Sequence, residues 1–427
     1  MNCHDTTSSR PRAEALLFKA PAITLGADPR IRSVDMRENE GMKGSNQLTV
    51  RDNNERLVLH LIRRHGAMTK PEATRETGLS ANAISVIFNA LEHEGLLLRG
   101  APVRGRIGQP STPMRLNPDA GLYLGLKIGR RGFEMGLVDL CGGLRAQCAA
   151  RHDYPTPERT IAFVTSALPQ LLQKAGVTLD AIAGSGIAIP SQLWHWPGDF
   201  GALQGEMDVW RDHDIAATLS DHLPGQILVE NDATAACYAE WVFGARRIKP
   251  DSLYFFVGTF IGGGVILDGA VYRGCRGNAG ALGPLRIPDE PGGTRLVDHA
   301  SLSVLGQLLA RQGETRAALL DPPVDWSALE PVLSDWILRC ARALAHAIVS
   351  ASAVIDFEEV VIDGAFPPEI RARLARLLES RLSRLDLGGI PHPAVVQGSF
   401  GGIARAVGAA ARHVSDRYML RQEPDMS

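Results

Sequence analysis

From Asn54 onward the apolar positions of the chain fall on a helical period, with Leu57, Leu61 and Ile62 on one face. The segment HGAMTKPEATRETGLSANAISVIFNALEHEGLLLRG follows. In it Pro71 suits the first turn of a short helix that Gly78 ends, and Ser80 caps a second helix whose apolar face is Ile84, Ile87, Phe88 and Leu91. Two helices joined by about four residues, with glycine in the turn, predict a helix-turn-helix. LLLRGAPVRGRIGQPSTPMRL then gives a strand, a Gly/Arg/Pro-rich excursion and a return strand, the pattern of a wing. After the linker NPDAG the pattern becomes that of strands, first LYLGLKIG and FEMGLVDL. Further on, IAGSGIAIP, QILVENDA, LYFFVG, GGVILDG and VVIDGAF are buried-strand runs interleaved with the helical DATAACYAEWVFG and WILRCARALAHAIVSASAV. The expectation is an α/β chain with ligand crevices at strand ends. Its parts are a poorly ordered tail over 1–50, a winged helix-turn-helix over 51–117, an α/β domain over 121–412 and a second tail over 413–427.

Length and charge refine this division. A chain of 427 residues exceeds one ordinary core and predicts two or three domains. The net charge of -2 excludes whole-protein affinity for polyanions, but Lys43 to Arg115 holds eleven Lys/Arg against six Asp/Glu, which makes that segment the candidate nucleic-acid contact. Six scattered cysteines without a CxxC pair signal neither a disulfide framework nor a thiolate metal site. No apolar run has the length of a membrane span and the N-terminus lacks a cleavage region, so the expected location is cytoplasmic. Met36 and Met42 are alternative starts.

A recognition helix presents short polar side chains at its N-terminal end, where base edges and phosphates are met in the major groove. Ser80, Ala81, Asn82, Ser85 and Asn89 occupy that face. Arg104, Arg106 and Gln109 lie on the wing, where an arginine held on a Gly-rich turn reaches a phosphate or a narrow minor groove. The alternative is a packing module of three helices and a hairpin. Agreement of helix spacing, local charge and a basic wing favours operator DNA.

In the second half, LYLGLKIGRRGFEMGLVDL, VENDATAACYAEWVFG and VGTFIGGGVILDGAVYRG resemble the first phosphate loop, the sugar-binding and base motif and the second phosphate loop of the ROK family. That family holds bacterial sugar-responsive transcription regulators and sugar kinases on one actin-like, two-lobed fold, and the resemblance spans about residues 43 to 412. It implies the regulator branch, whose members carry an N-terminal winged helix, with a carbohydrate effector and a homodimer or dimer of dimers. Asn231 and Asp232 match the residues that bind a sugar hydroxyl and act as general base; helix capping is the alternative role.

The departures from the kinase pattern concern the nucleotide. Lys127 stands where family kinases carry a metal-holding Asp, and Gly129, Arg130 and Arg131 stand for Gly-Gly-Thr. The second loop has Gly258, Thr259 and Phe260 for Gly-Thr-Gly, and Asp363 replaces a further glycine beside the nucleotide. ATP use is therefore not expected. Lys127, Arg130 and Arg131 have two readings, a basic loop for some other anion or partners in ion pairs. Zinc-bearing members also carry a Glu, a His and three Cys around the loop GNAGALGPLRIP, where this chain has Ala281, Pro284 and no Cys. No metal or cofactor is expected, and the loop is left to packing of Leu282, Leu285 and Ile287. Replacement effector contacts are sought in IPSQLWHWPGDFGALQGEMDVW: Trp194 and Trp196 for stacking, Gln192, His195 and Glu206 for hydroxyls. Thr259 and Gly262, with Gly258, complete the expected effector site; Asp298 and His299 read as an ordinary helix start.

Overall fold

The computed structural model describes residues 47–102, 111–194, 204–288, 293–313, 324–385 and 387–420. The described chain opens with α1 (Gln47–His65), α2 (Lys70–Thr77) and α3 (Ala81–His93), followed by an antiparallel ribbon of β1 (Leu97–Arg99) and β2 (Met114–Leu116). Local chemistry sets the helix ends. At the start of α2 the Thr69 hydroxyl accepts the Glu72 N–H while the Glu72 carboxylate accepts the Thr69 N–H at 2.8 Å, a reciprocal capping box. Gly78, at φ +70°, ends that helix in the left-handed region, and the Ser80 hydroxyl accepts the Ala83 N–H at 3.2 Å to start the next. Ile84, Ile87, Phe88 and Leu91 are buried, while Ser80, Ala81, Asn82 and Asn89 are exposed and Ser85 is half-buried. Residues 103–110, with Arg104, Arg106 and Gln109, lie outside the described residues.

The rest of the chain repeats one sheet topology. Its first half contains β3 (Leu122–Ile128), β4 (Gly132–Asp139), β5 (Leu144–Arg151), α4 (Pro157–Ala175), β6 (Ile182–Ile189), two short helices α5 (Gln204–Met207) and α6 (Ile215–Leu219), and β7 (Gln226–Asn231). These strands lie in the order β5-β4-β3-β6-β7, antiparallel on the hairpin side and parallel on the other. After α7 (Asp232–Phe243) the second half runs through β8 (Ser252–Val257), β9 (Ile261–Leu267), β10 (Ala270–Tyr272), a ribbon of β11 (Arg286–Ile287) and β12 (Thr294–Arg295), α8 (Leu302–Arg311) and α9 (Val332–Ser352). It closes with β13 (Glu359–Gly364), α10 (Pro368–Leu382), β14 (Ala394–Gln397) and α11 (Ala404–Tyr418). The order β10-β9-β8-β13-β14 repeats the first sheet strand for strand.

The last helix joins the parts. A side chain at Gly408 would run into the Ala235 carbonyl of α7, and side chains at Gly125 and Gly186 would run into the Ala406 and Ala409 carbonyls, so α11 meets α7 and the first sheet backbone to backbone. Residues 413–418, expected in a tail, continue α11, and Val414, Tyr418 and Met419 are buried. Arg56 of α1 donates to the carbonyls of Asp416 at 2.9 Å and Met419 at 3.0 Å. One continuous core holds Ile62, Phe88 and Leu97 of the opening helices and ribbon together with Tyr123, Tyr238 and Val407 of the sheet region. NPDAG is likewise fastened: Asn117 donates to the Gly95 carbonyl at 2.8 Å and Asp119 pairs with Arg145 at 2.7 Å.

Candidate functional site

The end of β6, the start of α7, the β8–β9 turn and the loop after Arg276 surround a cavity of about 470 Å³. That is the volume range of a small-molecule site. Asn231 sits at its edge as the N-cap of α7, its Oδ1 accepting the N–H groups of Ala233 at 3.0 Å and Thr234 at 3.1 Å, and its Nδ2 donates to the Ser191 hydroxyl at 2.9 Å. The capping role read from the sequence is real, and it coexists with a place on the cavity wall.

Asp232 lies beside it in the first turn of α7, and a charge network decides its chemistry. Arg405 of α11 reaches the Asp232 carboxylate at 3.6 Å and Glu134 of β4 at 4.0 Å, and its guanidinium lies over the Phe256 ring at 4.8 Å. Lys127, at the end of β3, pairs with Glu134 at 2.8 Å. Two cations thus meet two carboxylates. Burial, together with Arg405, pulls Lys127 below the ordinary lysine value, against the opposing pull of Glu134. For Glu134 burial acts upward, but Lys127 and Arg405 outweigh it and hold the carboxyl below its ordinary range. Of the two readings of Lys127, the ion-pair partner is the one realised. Arg405 thus stands against the carboxylate that resembles a general base.

The two loops aligned with phosphate loops touch each other. Arg130, in the β3–β4 turn, stacks its guanidinium on the Phe260 ring at 4.9 Å and donates to the Gln192 carbonyl at 3.3 Å. The β8–β9 turn is tied down on α8 through Leu302 N–H to the Gly258 carbonyl at 2.9 Å and Ser303 N–H to the Thr259 carbonyl at 3.2 Å. Asp363 behaves differently from the bare negative charge expected there. It is fully buried, accepts from Arg371 at 2.7 Å and from the Tyr254 hydroxyl at 3.2 Å, and receives the Gly364 and Gly401 N–H groups. Its charge is cancelled internally, and it acts as a staple between β13 and the start of α11.

Of the expected effector residues, Gln192, Trp194, Asn231, Asp232, Thr259 and Gly262 share the cavity wall. Gly258 is not on that wall; its N–H and carbonyl are spent within the turn and on α8. Glu206 accepts from the Tyr154 hydroxyl at 2.5 Å and is also absent from the wall. His195 and Trp196 lie outside the described residues. Ala281 and Pro284 line the cavity, while Leu282 and Ile287 anchor their loop in the core with Leu285 packed against it. Gly280, at φ +81° and with no room for a side chain beside Gly263 and Gly264, lets that loop press onto β9. Asp298 accepts three hydrogen bonds from Arg295, one of them from its backbone N–H, and His299 bonds Thr294 at 2.6 Å. Among the described residues no group of three or more His, Cys, Asp or Glu is placed to hold a metal.

The sequence reading missed Arg405, Arg276 and Glu134. Arg405 had one signal, a lone guanidinium in the small-residue run GGIARAVGAAA, where a buried helix face has no ordinary use for a charge.

Residues 123–295 match the ROK family model. The chain carries a ROK family domain. The xylose repressor of Bacillus subtilis (strain 168) is 24% identical to the chain over 243 residues, which cover 57% of this chain and 62% of the repressor, less than two thirds of that relative. A solved ROK family transcriptional regulator, a homologue of the E. coli MLC protein, shares 20% identity and a TM-score of 0.60 over 86% of this chain and 98% of its own. A ROK family glucokinase from Streptomyces griseus, solved with glucose and AMPPNP, gives 24% and 0.53 over 68% and 98%. At such identities the likeness establishes the fold, and the repeated sheets of the ROK domain are the two lobes of an actin-like sugar-kinase architecture.

Proposed function

We propose that the chain is a sugar-responsive transcription regulator whose α1–α3 unit and β1–β2 ribbon form a winged helix-turn-helix that binds operator DNA. The observation that carries this reading is the charge network of the cleft: Asp232 is paired with Arg405, and Lys127 stands where a metal-holding carboxylate is required. Phosphoryl transfer depends on neutralising phosphate charge around a metal and on a positioned base, and the pairing of Asp232 with Arg405 and of Lys127 with Glu134 speaks against that use of the cleft. A sugar needs only hydrogen-bonding groups and an apolar wall; Asn231, Gln192 and Trp194 supply them. The named function of the Bacillus subtilis relative, a xylose repressor, agrees with this assignment. An effector bound in the cavity changes DNA affinity only by its preference for one arrangement of the lobes in a homodimer or higher assembly.

The test pairs DNA binding with ligand binding. A fragment from upstream of the chain's own gene is titrated with the protein, with and without a panel of pentoses and hexoses, and magnesium ATP turnover is followed on the same preparations. A sugar should shift DNA affinity at least tenfold without any turnover, and Asn82→Ala should weaken DNA binding about tenfold while leaving sugar binding intact. Sugar-dependent ATP turnover that yields ADP and a sugar phosphate would establish the other reading, a carbohydrate kinase carrying a DNA-binding domain.

A further inference from the structure

A second crevice, of about 250 Å³, lies where α1 meets the turn between α7 and β8. Its basic side chains are His60, Arg63 and Arg64 of α1 and Arg246, Arg247 and Lys249 of the turn. Two carboxylates answer them: Glu359 pairs with Arg246 at 2.9 Å, and Glu358 reaches Lys249 at 3.7 Å. Glu359 is already shared, accepting the Lys249 N–H at 2.8 Å and the Ser252 hydroxyl at 3.2 Å. Among the described residues the guanidinium groups of Arg63, Arg64 and Arg247 have no carboxylate. Buried donor atoms point the same way, since the Nε atoms of Arg63 and Arg246 have no hydrogen-bond partner among the described residues. The C-terminal dipole of α1 offsets part of the charge on Arg63 and Arg64, but it does nothing for Arg247.

The electrostatic strain registers on the groups themselves. Burial lowers Arg63 to about 10, and burial with Arg63 and Arg247 lowers His60 to about 4. Guanidinium groups withdrawn from water with unfilled donors are stabilised by an anion of matching geometry, and phosphate oxygens are such a match. A duplex backbone can meet the exposed Arg64 and Arg247, and a small anion can in addition enter the crevice lined by Arg63.

We propose that this crevice binds a small phosphate-type polyanion between α1 and the α7–β8 turn. The site is separate from the cavity around Asn231 and stands whether or not that cavity takes a sugar. A ligand held there grips the opening helix on one side and, through Arg246 and Glu359, the second sheet on the other. It therefore gives a second chemical input to the position of the α1–α3 unit. Free inorganic phosphate or pyrophosphate and the phosphate group of a metabolite share this chemistry.

The test is calorimetric titration of the full chain with inorganic phosphate, pyrophosphate, glucose 6-phosphate and sulfate at one fixed ionic strength. It is repeated with Arg63→Gln, Arg247→Gln and, as a surface charge control, Lys174→Gln. Saturable binding of at least one phosphate compound is expected, weakened at least tenfold by Arg63→Gln and Arg247→Gln and unchanged by Lys174→Gln. Arg247 is exposed, so its variant carries the test should Arg63→Gln not fold. Tighter binding of glucose 6-phosphate than of the inorganic ions assigns the site to a phosphorylated metabolite; the reverse order assigns it to the free ion. Absence of saturable binding overturns the proposal. So does binding that survives both arginine changes, and so does a loss of DNA affinity in Arg247→Gln when the unaltered chain binds none of the anions.

Discussion

In the cleft, Lys127 and Arg405 face Glu134 and Asp232, two cations against two carboxylates; at the α1 crevice, six basic side chains face Glu358 and Glu359. Both places are rich in arginine, yet only the first balances its own charge. A balanced set of buried ions has no need of a ligand, and the loops that resemble phosphate loops close over it through Arg130 and Phe260. A surplus of cations, with Arg63 largely buried among them, is costly in the free protein and is relieved by an anion. The comparison separates two meanings of a buried arginine: one that replaces a ligand, and one that waits for it.

The largest test of this contrast is Glu134→Gln. Removing the carboxylate shared by Lys127 and Arg405 leaves cations in the cleft without their counter-charge, a loss of about 3 to 5 kcal/mol in denaturant unfolding. Adding Lys127→Met should recover much of it, because the group left unpaired is then gone. A Glu134→Gln variant within about 1 kcal/mol of the unaltered chain would mean that the cleft charges are solvated rather than locked together.

Acid titration gives the next effect. His60 at the crevice and His152, packed on Phe133, are both held at about 4 instead of 6.5, chiefly by burial. Their unfolded forms take up protons first, so stability is full above about pH 6.5 and falls as pH drops toward 4. The expected loss between pH 7 and pH 4.5 is about 2 kcal/mol for each histidine, and His60→Gln should remove the first share. Glu134 titrates in the same sense but in a lower pH window. Its lowered value adds stability that is present above the ordinary carboxylate range and lost only at still lower pH. Melting curves across this range should show two separate losses, and a single one below pH 4 would mean that neither histidine is held neutral by burial.

The smallest effect belongs to Arg247→Gln. Removing an exposed like charge near Arg63 should change stability by no more than about 0.5 kcal/mol, upward at low salt, with the gain fading as salt is added. A clear destabilisation would show that Arg247 has a favourable partner and that the crevice is neutral.

Local signals were legible in the sequence and distant pairings were not. Pro71, Gly78 and Ser80 act within a few residues of themselves, and the helix boundaries they mark are those found. The strand runs also held as strands, although QILVEN, read as buried, forms an edge strand that is mostly exposed or half-buried. Asn231 and Asp232 were visible as a motif, but the partner that changes the chemistry of Asp232 comes from α11, far along the chain. Nor does anything around Asp363 announce that Arg371 neutralises it, since the pairing depends on α10 packing back onto β13. The end of the chain was misjudged for the same reason. Ser415, Asp416 and Arg417 have the polarity of a tail, and only contact with α1 shows why Val414 and Tyr418 are buried beside them.

That contact links residues 360 positions apart, Arg56 and the carbonyl of Asp416. At a translation rate of about 5 to 20 residues per second, α1 emerges from the ribosome roughly 20 to 70 s before its partner. For that interval Val58 and Ile62 have no α11 to cover them, and the nascent chain must be protected or hold its opening helices in a provisional packing. A chain built this way cannot present a finished N-terminal unit while its gene is still being read, which ties the appearance of fully packed molecules to synthesis of α11.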